Sequence, residues 1–132
     1  MKKAILFLLL GLLPFVSPAK SAPQRGKATF YASKYEGRKT TSGEKYDPNE
    51  LTAAHAYLPL NTYVLVKNLK NGKEVVVKIN DRMSKRSPFI IDVSKTAAQK
   101  LDIVRAGQGQ VRLTKISKKA AMAFLQKENQ TT

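Results

Sequence analysis

Three side chains in this sequence, each in a short polar motif, could donate or accept a proton at a reacting centre. Glu44 ends a Thr-Ser-Gly-Glu stretch, His55 ends Thr-Ala-Ala-His, and Asp81 is the middle residue of Asn-Asp-Arg. A carboxyl group or an imidazole beside a reacting bond can act as a general acid or base, and a fixed carboxylate can stabilise a developing positive charge. These residue types point to acid–base chemistry.

Each of the three also has an ordinary structural explanation. Asp81 could pair with Arg82 or cap the turn that follows it. Glu44 could be a solvated loop acid, and His55 could be a half-buried histidine with satisfied hydrogen bonds. Taken singly, the motifs leave structure and catalysis both open.

The periodicity of the chain shows what must position these residues. Val75, Val77 and Ile79 share one face of a predicted strand, and Asp81 has the same parity, which predicts an inward-facing carboxylate at the rim of the sheet. Asn-Gly at 71–72 predicts a tight hairpin turn. Two helices are predicted, one at 95–101 with Ser94 as its N-cap and an amphipathic one from 118. The long irregular segment at 33–51 is predicted to be a functional loop, because loops of this length in small domains usually have a function. The predicted strands are 27–32, 62–67, 74–80, 89–93 and 110–116.

Composition excludes several classes of protein. The chain has 132 residues, 24 Lys plus Arg against 9 Asp plus Glu, a net charge of +15, one His and no Cys. With 42% hydrophobic and 25% charged residues it is a single packed domain rather than a disordered or fibrous chain. The lack of Cys excludes disulfides, a Cys nucleophile and an acylated lipobox Cys, and a single His cannot build the usual zinc site. No metal or cofactor site is predicted.

The first residues have the pattern of a secretory signal peptide. Lys2 and Lys3 precede an apolar run at 4–16 that ends in Ser-Pro-Ala at 17–19. As a membrane span the run is too short, since about 20 residues are needed. Removing 1–19 takes the charge from +15 to +13. We therefore expect a linker at 20–26, a domain at 27–117, and a helix and tail at 118–132, in a periplasmic or extracellular, soluble monomer without a stable membrane anchor.

Outside the cytoplasm, a basic protein meets anionic envelope polymers and lipid headgroups, and its lysines do not interleave with aromatic residues as they do in nucleic-acid sites. We therefore expect no nucleic-acid partner. A purely structural protein that binds anionic polymers would need only this charge.

Taken together, seven blocks in fixed order resemble the rare lipoprotein A family of lytic transglycosylases. The resemblance covers Gly26 to about Ile116. It implies a mainly β fold, a six-stranded double-psi β-barrel with one or two short helices. It also implies cleavage of peptidoglycan between N-acetylmuramic acid and N-acetylglucosamine without water, on strands stripped of stem peptides. The blocks lie at 26–33, 41–47, 51–62, 64–72, 76–82, 91–98 and 109–111.

The resemblance assigns Glu44, His55 and Asp81 to the active site. Asp81 would be the acid and base, with a pKa raised by an apolar barrel rim and by the like charge of Glu44. Glu44 would stabilise positive charge, and His55 would orient a carboxyl group or the sugar. The candidate substrate-binding residues are Tyr46, Tyr57, Arg82 and Thr52, the two tyrosines by stacking on sugar rings.

The sequence departs from the family pattern at two places beside the expected cleft. Residues 34–37 stand where Trp-Tyr-Gly is common, and 83–88 stand where Gly-Pro usually follows Asn-Asp-Arg. Because both segments border the expected cleft, both departures from the family pattern are expected to affect how the substrate fits. The chain has no lipobox Cys and no sporulation-related repeat, so neither a lipid anchor nor septal targeting is expected. The alternative function is a non-catalytic, expansin-like module that binds or loosens the cell wall.

Overall fold

The computed structural model describes residues 22–131, so the predicted signal peptide at 1–19 lies outside the described residues. The strands are β1 (Gln24–Phe30), β2 (Thr52–His55), β3 (Tyr63–Asn68), β4 (Glu74–Arg82), β5 (Phe89–Val93) and β6 (Gly109–Ile116), and the helices are α1 (Lys95–Leu101) and α2 (Lys118–Thr131). The six strands close into a barrel in the order β1-β5-β2-β4-β3-β6. The predicted six-stranded barrel is confirmed.

Alternating aliphatic residues fill the barrel interior. In β3, Val64 and Val66 are buried, and they pair in register with Val77 and Val75 of the antiparallel strand β4. Because side chains alternate between the two faces of a strand, this one set of valines is removed from water and stabilises the closed barrel. The core also contains Ala28, Ala53, Ile79, Ile91, Val93, Val111 and Leu113.

Local signals fix the hairpin and the first helix. Gly72 has φ 77°, a left-handed conformation that glycine adopts without strain, and it turns the chain between β3 and β4 as predicted. The Ser94 side chain caps α1 by accepting a hydrogen bond from the amide of Ala97. The buried side of α1 then packs onto the core through Ala97, Ala98 and Leu101.

Other boundaries differ from the prediction. β1 begins at Gln24, within the predicted linker, and α2 continues to Thr131, through most of the predicted polar tail. β2 was not predicted from periodicity, because its four residues carry two alanines and show no alternation. Within 22–131, no helix is long and apolar enough to cross a membrane.

A register shift between β2 and β4 decides where Asp81 lies. Ala53 pairs with Ile79, but Ala54 pairs with Asp81, so Asn80 is an extra residue in β4. Because of this extra residue, the alternation of side chains between the two faces of β4 changes phase after Ile79. Asp81 shares its face with Ala54 and not with the core residues Ala53 and Ile79, so the predicted inward orientation of its carboxylate is wrong.

Candidate active site

Two aspartates lie in one row across the outer face of the barrel. Ala54 of β2 pairs with Asp81 of β4 on one side and with Asp92 of β5 on the other, and Asp92 pairs in turn with Thr29 of β1. Residues in register on adjacent strands point to the same face. Asp81 and Asp92 therefore lie on one face, on either side of Ala54, and the charge of Asp81 acts on Asp92.

Asp81 is held rigidly by its hydrogen bonds. Its Oδ2 accepts a 2.5 Å bond from the hydroxyl of Tyr31. Its Oδ1 accepts from the amide of Thr41 at 2.9 Å, from the Thr41 hydroxyl at 2.8 Å and from the amide of Arg82 at 2.9 Å. Gly43, with φ 92°, turns the loop so that Thr41 meets this strand end. The carboxylate is therefore fixed in position.

These bonds keep Asp81 ionised. Burial alone would raise the pKa of Asp81, but the hydrogen bonds from Tyr31, Thr41 and Arg82 outweigh burial and lower the pKa below its usual range. The expected raised pKa is wrong for this residue. A carboxylate of this kind can stabilise a positive charge, but it holds no proton to donate.

Two stacked tyrosines pack against the face that carries the aspartates. The rings of Tyr31 and Tyr46 lie 4.3 Å apart with planes 11° from parallel, and they pack with Ala54 and Met83. Tyr46 is only 3% exposed, and its hydroxyl accepts a hydrogen bond from the amide of Lys95. Tyr46 therefore offers no free face for a sugar ring, contrary to the prediction.

Asp92 contrasts with Asp81. Its Oδ1 is buried, and within residues 22–131 it has no hydrogen-bond partner. Burial raises the pKa of Asp92, and the charge of Asp81 raises it further, to about 6. Asp92 is therefore the group in this row that is protonated in mildly acidic solution.

His55 lies at the barrel end where β1 begins and β2 ends. Its Nδ1 accepts hydrogen bonds from the amides of Tyr57 and Leu58, so the proton of the neutral ring is on Nε2, which donates to Gln24 Oε1 at 3.1 Å. Burial lowers the pKa of His55, and the Arg82 guanidinium lowers it further. The described contacts of this ring include no carboxylate, so the expected orientation of a carboxyl group by His55 is not seen.

Glu44 lies apart from Asp81. Its carboxylate pairs with Lys78 Nζ at 3.5 Å, and its Oε1 accepts from the Ser42 hydroxyl at 3.4 Å. Glu44 and Thr52 line a cavity of about 670 Å³ that reaches the α2 residue Met122, whereas Asp81 lines a different one. Glu44 and Asp81 thus line different cavities, and the described hydrogen bonds and ion pairs join none of the three predicted catalytic side chains to another.

The other predicted residues have mixed surroundings. Arg82 Nη1 donates to the carbonyl oxygens of His55 and Leu58, at 3.3 and 2.6 Å, and so braces the turn after β2. Tyr57 is 60% exposed and lies edge-on to the His55 ring, so its outer face is free. Of the two predicted tyrosines, Tyr57 keeps a surface on which a sugar could stack.

A cleft of about 240 Å³ has Asp81 in its lining. It is lined by Tyr31, Tyr35 and Tyr46 together with the cationic Arg38 and Lys39. Arg38 also lies over the Tyr35 ring, 5.3 Å from its centroid. The exposed Tyr35 ring, two cations and a fixed carboxylate together form a lining suited to a polar, ring-shaped ligand.

The model of the lytic transglycolase family, a double-psi β-barrel family, matches residues 24–113, which is more than half of the chain. The chain belongs to the lytic transglycolase family. The resemblance to the rare lipoprotein A family is confirmed with it. In this family member, the matched segment includes the complete row of Thr29, Asp92, Ala54 and Asp81.

Curated relatives of this family member are endolytic peptidoglycan transglycosylases named RlpA. The Neisseria meningitidis serogroup A protein is 50% identical over 93 residues, covering 70% of this chain and 39% of the relative. The Haemophilus influenzae protein is 45% identical over 95 residues, covering 72% and 33%, and the Vibrio cholerae protein 44% over 98 residues, covering 74% and 37%. The chain thus spans about two fifths or less of these relatives.

Solved structures share the barrel with this member of the family. An expansin from Clavibacter michiganensis superposes with a TM-score of 0.59 at 19% identity, covering 73% of this chain and 51% of the expansin. A Streptomyces papain inhibitor superposes with a TM-score of 0.59 at 20% identity, covering 74% of this chain and 96% of the inhibitor. At these identities the likeness shows the fold alone.

Sequence reasoning missed Tyr31, Thr41 and Asp92 as site residues. Asp92 is an acid between two core aliphatics, Ile91 and Val93, in a predicted strand. That pattern was a usable signal, since a charged residue beside a buried row is expected to have a function or a partner. Tyr31 and Thr41 carried no such signal, because their link to Asp81 depends on the register shift.

Proposed function

We propose that this chain is the glycan-cleaving domain of a peptidoglycan lytic transglycosylase. It breaks the bond between N-acetylmuramic acid and N-acetylglucosamine and leaves a 1,6-anhydro ring on the muramic acid. The observation that carries the proposal is Asp81, an ionised carboxylate fixed by four hydrogen bonds in the lining of a cleft. The names of the RlpA relatives support the same substrate.

The chemistry requires what this carboxylate can supply. As the glycosidic bond breaks, C1 of the muramic acid takes on positive charge, and a fixed negative group nearby stabilises that charge. The C6 hydroxyl of the same sugar then closes on C1. Because this nucleophile is intramolecular, it outcompetes water, and no carboxylate is needed to activate water.

The remaining predicted residues take supporting roles in this proposal. Glu44 adds negative charge on the loop that also carries Thr41, the hydrogen-bond donor to Asp81. His55 and Arg82 hold the turn that follows β2. Tyr57 would stack on a sugar ring with its exposed face, and Thr52 would contact the glycan from the separate cavity that it lines with Glu44.

We also propose that the protein acts outside the cytoplasm as a soluble monomer on peptidoglycan strands, without nucleic acid. The high positive charge and the signal-like segment at 1–19 support this location. N-terminal sequencing of protein released by osmotic shock should find Lys20, Ser21 or Ala22 first. Recovery in the membrane pellet with Met1 intact would contradict it.

Digestion of purified sacculi tests the proposed activity. The purified protein should release fragments with anhydro-muramic ends, identified by mass spectrometry, without a matching rise in reducing ends. Asp102→Asn is the matched control, because Asp102 is an exposed aspartate in a left-handed conformation that asparagine tolerates. Reducing ends would make the protein a hydrolase. Sedimentation with sacculi without any product would instead support the wall-binding module.

A further inference from the structure

The proposed reaction needs a proton donor, and the described residues near Asp81 offer one that the sequence motifs did not indicate. A glycosidic oxygen leaves readily only when an acid protonates it. Asp81 cannot be that acid, since four hydrogen bonds hold it as a carboxylate. Glu44 lines another cavity, and the described hydrogen bonds of His55 engage both ring nitrogens.

Asp92 has the surroundings of a proton donor. Almost all buried polar atoms in proteins have hydrogen-bond partners, so an unpartnered buried carboxyl oxygen indicates a use other than folding. Nothing among residues 22–131 stabilises this Oδ1 as an anion. The residue as a whole is only partly buried, so part of it is exposed to solvent.

The position of Asp92 in the sheet also supports a role as proton donor. Asp92 is separated from Asp81 by Ala54 alone, and both aspartates lie on the face that packs against Tyr31 and Tyr46. At the ordinary spacing of strands, the two backbones are about 10 Å apart, so the carboxyl groups between them can flank one sugar linkage.

We propose, building on the transglycosylase function above, that Asp92 is the catalytic acid and base of this domain, acting beside Asp81 across Ala54. The protonated Asp92 carboxyl donates its proton to the glycosidic oxygen, and the bond from that oxygen to C1 breaks. N-acetylglucosamine leaves with a free hydroxyl while Asp81 faces the positive C1.

The second half of the reaction returns the proton. The Asp92 carboxylate removes the proton from the C6 hydroxyl of the muramic acid, whose oxygen bonds to C1 and closes the anhydro ring. Asp92 is again protonated, and no water or co-reactant is consumed. One residue therefore serves as acid and then as base, while Asp81 stays ionised throughout.

The titratable groups that face Asp92 are Asp81 from β4, Tyr31 after β1 and Tyr46 in the 33–51 loop. Both tyrosines are neutral at physiological pH, because burial raises the pKa of each. Burial is therefore the larger cause of the raised pKa of Asp92, and the Asp81 charge adds to it. Activity should fall as pH rises through about 6, the pKa of Asp92.

The test measures activity on sacculi and, independently, the protonation of the carboxyl. Asp92→Asn should fold and should lose at least about 10²-fold in turnover, as expected on loss of a general acid, while Asp102→Asn stays active. In ¹³C-labelled wild-type protein, the Asp92 carboxyl should titrate near 6 by NMR, and in Asp81→Asn it should titrate at lower pH.

Several outcomes separate this proposal from the one on which it rests. A folded, active Asp92→Asn would overturn the assignment and leave the transglycosylase function standing. The assignment would also be overturned if the Asp92 carboxyl titrated like an unperturbed aspartate, or if wild-type activity did not fall as pH rises through about 6. If Asp92→Asn does not fold, these two wild-type measurements still decide. A wild-type protein without products would contradict the proposed function itself, and the Asp92 assignment would fall with it.

Discussion

At the scale of single residues, Asp81 and Asp92 show how surroundings separate two identical side chains. Asp81 accepts four hydrogen bonds and stays ionised, whereas the buried Asp92 oxygen accepts none from the described residues. The charge of the first raises the pKa of the second. Acid and electrostatic stabiliser are thereby assigned by environment rather than by residue type.

Asp81→Asn should lower turnover by at least about 10²-fold while sacculus binding persists, because the variant keeps the shape of Asp81 but loses the charge that faces C1. The amide oxygen can still accept from Thr41 and Arg82, and the amide nitrogen can donate to a reoriented Tyr31 hydroxyl. The measurements are product release and co-sedimentation. A stable Asp81→Asn protein with unchanged activity would remove Asp81 from the mechanism.

Asp92→Asn should be more stable than the wild type at pH 7. The folded protein holds the Asp92 proton up to about pH 6, against 3.8 for an unperturbed group, so wild-type stability falls as pH rises from about 4 to about 6. The variant avoids a cost on the order of 3 kcal/mol, less whatever its amide leaves unpaired. Urea unfolding at pH 7 and pH 4 checks this: a gain that persists at pH 4 would contradict it.

At the scale of secondary-structure elements, the sequence predicts what depends on local periodicity. Strands with alternating valines, the Asn-Gly turn and the Ser94 cap of α1 are all read from neighbouring residues, and α1 has the predicted ends. Neither β2 nor the register shift at Asn80 can be predicted from neighbouring residues, because both depend on pairing with strands that are distant in sequence. The consequence was large, since one extra residue moved Asp81 to the other face.

His55 organises the turn that follows β2. His55→Ala should lower the free energy of unfolding by about 2–4 kcal/mol, since it leaves the Tyr57 and Leu58 amides without an acceptor and opens a cavity. His55→Asn should restore part of the stability and of the activity, because its side-chain oxygen can replace Nδ1 as acceptor. Urea unfolding and product release measure both. A stable but inactive His55→Asn would point to proton transfer by His55 instead.

At the scale of the whole molecule, charge and fold act together. The net charge is +15, or +13 without residues 1–19, and a charge of this size attracts anionic polymers over a distance. Lys39 and Lys45 form a backbone bridge in the loop that borders the cleft. The barrel supplies the row of aspartates. We infer that long-range attraction brings the glycan to the cleft and that the row then performs the chemistry.

Replacing Lys39 and Lys45 by Gln should weaken sacculus binding most at low salt and hardly at all at high salt, because screening removes long-range attraction. Lys70→Gln with Lys100→Gln is the charge-matched control, at exposed sites outside the cleft. Co-sedimentation at two ionic strengths measures the effect. An equal loss in both double variants would mean that net charge alone governs binding.

In the proposed reaction an intramolecular hydroxyl, and not water, attacks C1 at this carboxylate pair. Digestion of sacculi in water enriched in ¹⁸O, followed by mass spectrometry of the released fragments, tests it most directly. We expect each new muramic end to have the anhydro mass and to contain no ¹⁸O. One ¹⁸O atom at each new reducing end would show that water is the nucleophile and would contradict the account.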